Sequence, residues 1–253
     1  MGKFDGILLA SDLDGTLLCS GKLSEENLKA VIYFMDNGGL FTTATGRSPE
    51  FISEMGIPAN APLITSNGSV ICDFKTHEVI KRYECPEQAM MVAKETAQRG
   101  NIHKIDFFTQ RGVFGFNRPF GDDFYNFDET LNKAVLMFDT EEKALEAKAD
   151  LRKRYGNYLT FERSWTWGLE VISVSAGKGN CLKEIKKLTG ATTTIGVGDW
   201  ENDESLLRAA DISYAPESGH PDIKAIADYV TVPCNEHVIA AIVKELDEKG
   251  TDL

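Results

Sequence analysis

The chain has 253 residues, 42% of them hydrophobic, and a formal net charge of -12 at pH 7. That length is enough to bury one large core or two modest ones. The negative charge argues against nucleic acid or an anionic membrane as a partner, because either would require a basic patch.

Cysteine usage and the start of the chain bear on the compartment. The 5 cysteines are scattered and include no CxxC pair, which favours reduced thiols. The first residues lead directly into a short strand without the longer apolar stretch of a signal peptide, and no segment approaches membrane-spanning length. We therefore expect a cytoplasmic protein with no membrane partner.

The first predicted element is a short strand over residues 7–10 that ends in an acidic motif. Its residues are all apolar, as in strands of a parallel sheet that is covered on both faces. Asp12 and Asp14 follow it with Leu13 between them, in the run Asp-Leu-Asp-Gly-Thr. Open α/β sheets bind ligands at the carboxyl ends of their strands, so we expect both carboxylates to face one pocket.

A helix and a second strand come next. Ser24 can cap a helix that the run Asn-Gly-Gly at 37–39 ends. The Thr-rich run from 40 onward is typical of a strand and stops at Thr45 and Gly46, before another predicted helix. The Thr45 hydroxyl and the backbone N–H groups beside it are suited to binding phosphate oxygens.

The order of elements changes in the middle of the chain. A strand at 62–65 and a hairpin of 69–72 with 79–83 come first. From residue 86 onward, patterns of two helices alternate with strand-like runs, at 88–99 and from 141 for the helices and at 102–108, 113–116, 134–138, 158–161 and 168–174 for the strands. This pattern is typical of an antiparallel sheet that carries two helices.

We expect this middle segment, 84–176, to be an inserted α+β domain. Residues 1–83 and 177–253 would then form one core domain. The core elements resume with Gly-Lys-Gly before a predicted helix, which places Lys178 at the N-terminus of that helix with its ammonium free.

A second acidic strand end follows the predicted strand at 194–197. It contains Asp199, Asn202 and Asp203 in the run Gly-Asp-Trp-Glu-Asn-Asp. If this strand neighbours the first one, four aspartates come together, and carboxylates about 4 Å apart repel by roughly 4 kcal/mol per pair at an effective dielectric of about 20. An all-oxygen ligand set favours a hard cation, and Mg²⁺ fits because it also accepts a phosphate oxygen.

The motifs resemble those of the haloacid dehalogenase (HAD) superfamily, and within it the Cof-type (IIB) phosphatases with a large inserted cap. Residues 12–16, 45–47, 178–179 and 198–203 are similar, in that order, to DxDGT, Thr-Gly-Arg, Lys-Gly and GDxxND. The similarity spans nearly the whole chain. It implies an α/β fold with a doubly wound, Rossmann-like parallel-sheet core and an inserted cap domain that sets substrate specificity.

The resemblance also implies a two-step phosphoryl transfer. Asp12 would attack phosphorus to form an aspartyl-phosphate, and Asp14 would act first as acid and then as base. The metal set would be Asp12, Asp14 through its carbonyl, Asp199 and, in support, Asp203. The groups that bind the phosphoryl substrate would come from Leu13, Asp14, Thr45, Gly46, Lys178 and Asn202.

Two residues near these motifs allow two interpretations each. Arg47 could bind phosphate or form an ion pair with a motif acid. Asn67, in a Ser-Asn-Gly turn, could contact substrate or only form its turn.

The implied function is that of a Mg²⁺-dependent phosphatase of small phosphorylated metabolites, with sugar phosphates as the leading class, acting as a monomer or homodimer. One alternative is a sugar phosphomutase of the same superfamily, which returns the phosphoryl group to a sugar. Another is a phosphate-binding regulator without turnover, although binding alone does not need Asp14 as an acid/base. A signalling receiver domain would be shorter and would lack the insertion.

Overall fold

The structure is a computed structural model that describes residues 2–249. The chain forms two compact units. The first combines the described residues up to Lys81 with those from Lys178 onward, and the second is Arg82–Gly177. Within residues 2–249, no helix is both long enough and apolar enough to cross a membrane.

The secondary structure alternates strands and helices over most of the described chain. In chain order the strands are β1 (Ile7–Ser11), β2 (Leu18–Cys19), β3 (Lys22–Leu23), β4 (Leu40–Thr43), β5 (Leu63–Thr65), β6 (Val70–Cys72), β7 (Val79–Arg82), β8 (Ile102–Thr109), β9 (Gly112–Asn117), β10 (Lys133–Phe138), β11 (Leu159–Trp165), β12 (Gly168–Ser173), β13 (Thr193–Val197), β14 (Ile212–Pro216) and β15 (Tyr229–Thr231). The helices are α1 (Glu25–Asp36), α2 (Pro49–Glu54), α3 (Gln88–Gln98), α4 (Asp122–Tyr125), α5 (Glu141–Tyr155), α6 (Lys178–Thr189), α7 (Glu204–Ala209), α8 (Pro221–Ile226) and α9 (Val238–Lys249).

The first unit is built on a five-stranded parallel sheet with the order β15-β14-β13-β1-β4. β1 is apolar and fully buried because it has a neighbouring strand on each side and helices over the sheet. The chain continues from β1 to β4 on one side and later returns to β13 on the other, so the direction of winding reverses beside β1. Ligands of open α/β sheets bind at such a reversal. The predicted α/β fold with a parallel-sheet core is confirmed.

Helices pack on this sheet through their apolar faces. α1 packs against α9, and α6 packs against α7. Ser24 caps α1 as predicted, because its side chain accepts a hydrogen bond from the Asn27 N–H at 3.2 Å. The core includes Phe34 on α1, Phe41 on β4 and Ile242 on α9, all fully or almost fully buried.

Two features of the first unit differ from expectation. The strand predicted at 62–65 is present as β5, but it belongs to a separate three-stranded sheet with β6 and β7. A bridge between Ala44 and Ile64 connects it to the segment that follows β4. The short hairpin of β2 with β3 was not predicted. Its strands have two residues each, which is too short for a recognisable period.

The second unit contains a five-stranded antiparallel sheet with the order β11-β12-β10-β8-β9. One face of this sheet carries alternate apolar residues, such as Ile105 and Phe107 on β8, which pack with residues of α3 and α5 in a second hydrophobic core. The strands and the two longer helices follow the predicted pattern. The short α4 was not predicted, and its Phe124 stacks against Phe107 at 5.6 Å between ring centroids.

Asn27 ties the loop after β1 to two helices. Its Nδ2 donates to the Leu17 carbonyl at 3.0 Å, and its Oδ1 accepts from the Ala240 N–H at 3.1 Å. We expect Asn27→Ala to lower the free energy of unfolding by about 2–3 kcal/mol, because it leaves one buried and one partly buried backbone group without their partner. Urea denaturation measures the change. Asn37→Ala removes an exposed amide-to-carbonyl bond at the end of the same helix and should cost about 1 kcal/mol or less.

Candidate active site

The two acidic strand ends lie side by side. Ser11 of β1 is in register with Val197 of β13, and the Asp12 N–H donates to the Val197 carbonyl at 2.8 Å. Asp12 and Asp199 therefore follow neighbouring strands at the same edge of the sheet. The Thr16 hydroxyl, from the turn after Asp12, donates to Asp199 Oδ1 at 2.8 Å and joins the two segments directly.

A glycine permits this close approach. Gly15 has a φ of +93°, and a Cβ added there would lie 2.3 Å from Asp199 Oδ2. The Leu13 carbonyl accepts from the Leu18 N–H at 2.7 Å, which closes the same turn. The turn after β1 thus needs glycine for both its backbone conformation and its packing.

Lys178 places a buried ammonium between two carboxylates. Its Nζ donates to Asp12 Oδ1 and to Asp203 Oδ1, each at 2.6 Å, and its side chain is fully buried. Burial alone would lower the pKa of Lys178, but Asp12 and Asp203 outweigh it and the pKa is raised. The sequence predicted a free ammonium, and the structure instead shows one that is paired on both sides.

α6 brings this lysine into position by packing closely on α7. A Cβ added to Gly179 would lie 2.1 Å from the Ser205 carbonyl oxygen, so the first turn of α6 approaches the α7 backbone more closely than any larger residue would allow. Lys178 is the first residue of α6. Gly179 therefore allows α6 to pack where the Lys178 ammonium can reach the carboxylates that follow β1 and β13.

Asp203 uses both of its carboxylate oxygens within the protein. Oδ1 binds Lys178, and Oδ2 accepts from the N–H groups of Asp199 at 3.0 Å and Trp200 at 3.1 Å. Asp203 is fully buried. Its carboxylate fixes the loop that carries Asp199, which is the supporting arrangement expected for a residue beside a metal ligand.

The cluster contains more carboxylates than cationic groups. One oxygen each of Asp12, Asp199 and Asp203 lies within 4.8 Å of the others. Burial, followed by the nearby Asp203 carboxylate, raises the pKa of Asp12 well above its usual range and that of Asp199 to about 7. Three carboxylates and one ammonium sum to a charge of about -2 when ionised, and these oxygen donors are suited to a divalent hard cation.

Asp14 lies in a different environment. Its carboxylate receives two hydrogen bonds from the Arg47 guanidinium, at 2.8 Å to Oδ2 and 3.0 Å to Oδ1, and both side chains are about half exposed. The guanidinium also lies over the Phe51 ring at 4.2 Å from its centroid. Of the two interpretations of Arg47, the structure shows the ion pair with a motif acid.

The remaining predicted phosphate-binding residues follow β4 and β13. Thr45 is buried beyond the end of β4, and its hydroxyl accepts from the Arg47 N–H at 3.1 Å. Asn202 is buried, and its Nδ2 donates to Asn67 Oδ1 at 3.3 Å. Gly46 lies beside Asn67, because a Cβ added to Gly46 would be 3.3 Å from its amide atoms.

Sequence reasoning missed Thr16 as an anchor of Asp199 and left Asn67 undecided. Thr16 stands within the first motif, so its position was visible, but its partner lies 183 residues away. The sequence signal for Asn67 was the Ser-Asn-Gly turn. Its placement against the second and fourth motifs depends on the fold.

Comparison with known proteins decides the family. The model of the haloacid dehalogenase-like hydrolase family matches residues 9–243. The chain belongs to this family. Phosphatase YwpJ of Bacillus subtilis is 28% identical to this hydrolase over 94% of this chain and 99% of its own.

Two further proteins are similar over most of their length. The 5-amino-6-(5-phospho-D-ribitylamino)uracil phosphatase YcsE of Bacillus subtilis is 25% identical over 94% of each chain. The solved structure of the HAD subclass IIB sugar phosphatase BT4131 has a TM-score of 0.78 at 23% identity and covers 96% of this chain and 98% of its own. The family and the names of these relatives support a phosphoric monoester hydrolase.

The paired ammonium predicts a stability effect at Asp203. In Asp203→Asn only one side-chain oxygen remains to accept hydrogen bonds. The amide therefore cannot accept from both Lys178 and the two backbone N–H groups, and either the buried Lys178 ammonium or those N–H groups lose their acceptor. We expect the free energy of unfolding to fall by about 2–3 kcal/mol, measured by urea denaturation in the presence of a chelator. Asp222→Asn, at an acid in the first turn of α8 whose side chain is 88% exposed, is the matched control and should cost less than about 1 kcal/mol.

Equal stability of Asp203→Asn and the parent hydrolase would contradict this account. It would mean that relief of repulsion among the aspartates compensates fully for the lost bonds.

Proposed function

We propose that this hydrolase is a Mg²⁺-dependent phosphatase that hydrolyses small phosphorylated metabolites through an aspartyl-phosphate on Asp12. The observation that supports this most is the buried Asp12 carboxylate, held at 2.6 Å by Lys178 beside Asp199. A carboxylate that is buried, oriented and charge-compensated is suited to act as a nucleophile towards phosphorus. Binding alone would not need Asp14 as an acid/base.

The first step is in-line attack of an Asp12 oxygen on phosphorus, with departure of the substrate oxygen. Negative charge then gathers on the Asp12 carboxylate and on the phosphoryl oxygens. Lys178 lies against Asp12 and neutralises part of that charge, while Thr45, Gly46 and Asn202 donate hydrogen bonds to the phosphoryl oxygens. Because these groups are fixed by the fold, they need little reorganisation during the reaction.

Asp14 supplies the proton chemistry. It protonates the leaving oxygen in the first step, and it then takes a proton from the water that hydrolyses the aspartyl-phosphate. The two bonds from Arg47 set the plane of the Asp14 carboxylate. Since this ion pair is half exposed, its carboxylate can change partner at a lower cost than the buried pair of Asp12 and Lys178.

Asp12 and Asp199 would hold the Mg²⁺ through their carboxylates, and Asp14 would contribute its carbonyl. Asp203 would support the site indirectly, because both of its oxygens already accept hydrogen bonds. When bound, the ion offsets the charge of the carboxylates and polarises a phosphoryl oxygen. The excess of carboxylates over ammonium groups in the described cluster supports this assignment.

Substrate class and domain roles belong to the same proposal. We assign the core domain to residues 1–83 and 177–253 and specificity to the inserted segment 84–176. Sugar phosphates are the proposed substrates. Support comes from two similar proteins, since YcsE is named for a substrate with a phosphorylated ribityl chain and BT4131 is described as a sugar phosphatase.

A panel of phosphate esters tests the activity. Wild-type protein with Mg²⁺ should release phosphate from sugar phosphates with a higher kcat/KM than from nucleotides or cofactor phosphates. Asp12→Asn should lower kcat by at least about 10⁴-fold, because the amide is not a competent nucleophile. Asp5→Asn changes an exposed acid before β1 and should keep full activity.

Release of no phosphate from any ester would contradict the phosphatase. Isomerised sugar phosphate without free phosphate would assign a phosphomutase instead.

Metal dependence is tested by chelation and by thermal unfolding. EDTA should abolish phosphate release, and added Mg²⁺ should restore it. Mg²⁺ at about 100 times its Kd should also stabilise the folded protein by about 2.7 kcal/mol, visible as a higher Tm. Asp199→Asn should lose that shift, whereas Asp211→Asn, in a partly exposed acid beyond α7, should retain it. Full activity in EDTA would contradict the metal assignment.

A further inference from the structure

The turn between β5 and β6 has an unusual backbone. Ser66, Asn67 and Gly68 have φ values of +51°, +54° and +85°. Three successive residues in the left-handed region are uncommon, and among non-glycine residues asparagine tolerates this region best. Strained backbone that the surrounding structure holds in place is often found where a side chain must be aimed.

Three hydrogen bonds to two segments of the chain fix this turn. The Asn67 N–H donates to the Thr45 carbonyl at 2.9 Å, and the Ser66 N–H donates to the Arg47 carbonyl at 3.3 Å. On the other side, the Cys181 thiol of α6 donates to the Gly68 carbonyl at 3.1 Å. The backbone of the turn therefore connects the segment after β4 with the helix that begins at the buried lysine.

The Asn67 side chain is fully buried between two phosphate-binding segments. Its Oδ1 accepts from Asn202 Nδ2 at 3.3 Å. The Asn67 amide also lies next to Gly46, because a Cβ added to Gly46 would be 3.3 Å from both Oδ1 and Nδ2 of Asn67. One carboxamide thus touches the second and the fourth motif together.

We propose that Asn67 is a positioning residue that aligns the Asn202 amide and the Gly46 backbone N–H for phosphoryl oxygens. A primary amide has two N–H groups in one plane, so the bond to Asn67 fixes that plane and directs the second N–H of Asn202. The carboxamide also supports the loop at Gly46. The inference rests on the proposed function, which assigns Asn202 and Gly46 to phosphate.

Asn67→Gly separates positioning from turn formation. Glycine adopts positive φ more readily than asparagine, so the backbone of the turn is preserved while the carboxamide is removed. Ser69→Ala is the matched control, because it removes a buried hydroxyl from the end of the same turn without touching Gly46 or Asn202.

Binding of inorganic phosphate, measured by calorimetry with Mg²⁺ present, is the first readout. Asn67→Gly should raise the Kd for phosphate by about tenfold and lower kcat/KM by a similar factor. It should still unfold cooperatively, with a lower Tm than wild type because the Asn202 amide loses a buried acceptor. Ser69→Ala should change both constants by less than about twofold. An Asn67→Gly protein that binds phosphate like wild type, or that does not fold, overturns the proposal.

A double-mutant cycle with Asn202→Ala is the second readout. If Asn67 acts through Asn202, its removal should raise the phosphate Kd by only about threefold once Asn202 is gone. An equal loss in both backgrounds would show a general structural effect and would overturn the proposal. Because phosphate binding needs no turnover, weaker binding by Asn67→Gly alongside a wild type that hydrolyses no ester would refute the phosphatase and leave the positioning role standing.

Discussion

The buried ammonium of Lys178 between Asp12 and Asp203 is the interaction on which the rest of the site depends. Without it, three aspartates would share a buried space with no positive charge to hold them, and each pair would repel by several kcal/mol. With it, Asp12 is oriented at the end of β1, and Asp203 is free to bind the loop of Asp199 with its other oxygen. The excess of carboxylates over ammonium groups supports the proposed cation site.

The fold delivers these groups through backbone geometry. Neighbouring parallel strands place Asp12 and Asp199 at one edge, and glycines at 15 and 179 permit approaches that a Cβ would block. The two acids of the first motif lie in different environments. Asp12 is buried and fixed, whereas Asp14 is half exposed and held by Arg47 in a pair that can exchange. This difference in environment is consistent with the roles proposed for the two residues.

Much of the secondary structure and the position of the acidic motifs could be predicted, because these features depend on residues that are close together in the sequence. An apolar run that ends in Asp-Leu-Asp-Gly-Thr predicts a buried strand and a ligand site at its end, and the capped α1 follows from Ser24 and its spacing. Partners distant in sequence could not be predicted. Periodicity identified β5 but not its sheet, and nothing local indicated that Lys178 would bind two carboxylates. An ion pair of Arg47 with a motif acid was one of two interpretations, but the sequence did not identify Asp14 as the partner. The roles of the site residues and the domain boundaries stay predictions.

The central claim is that Asp12 becomes covalently phosphorylated. The most direct measurement is rapid acid quenching of wild-type hydrolase during turnover of a sugar phosphate, followed by peptide mass spectrometry of the segment that contains Asp12. We predict an acid-stable phosphoryl mass on Asp12, absent from Asp12→Asn. Turnover with no phosphoryl adduct on any aspartate, or with the adduct on another residue, would contradict the account.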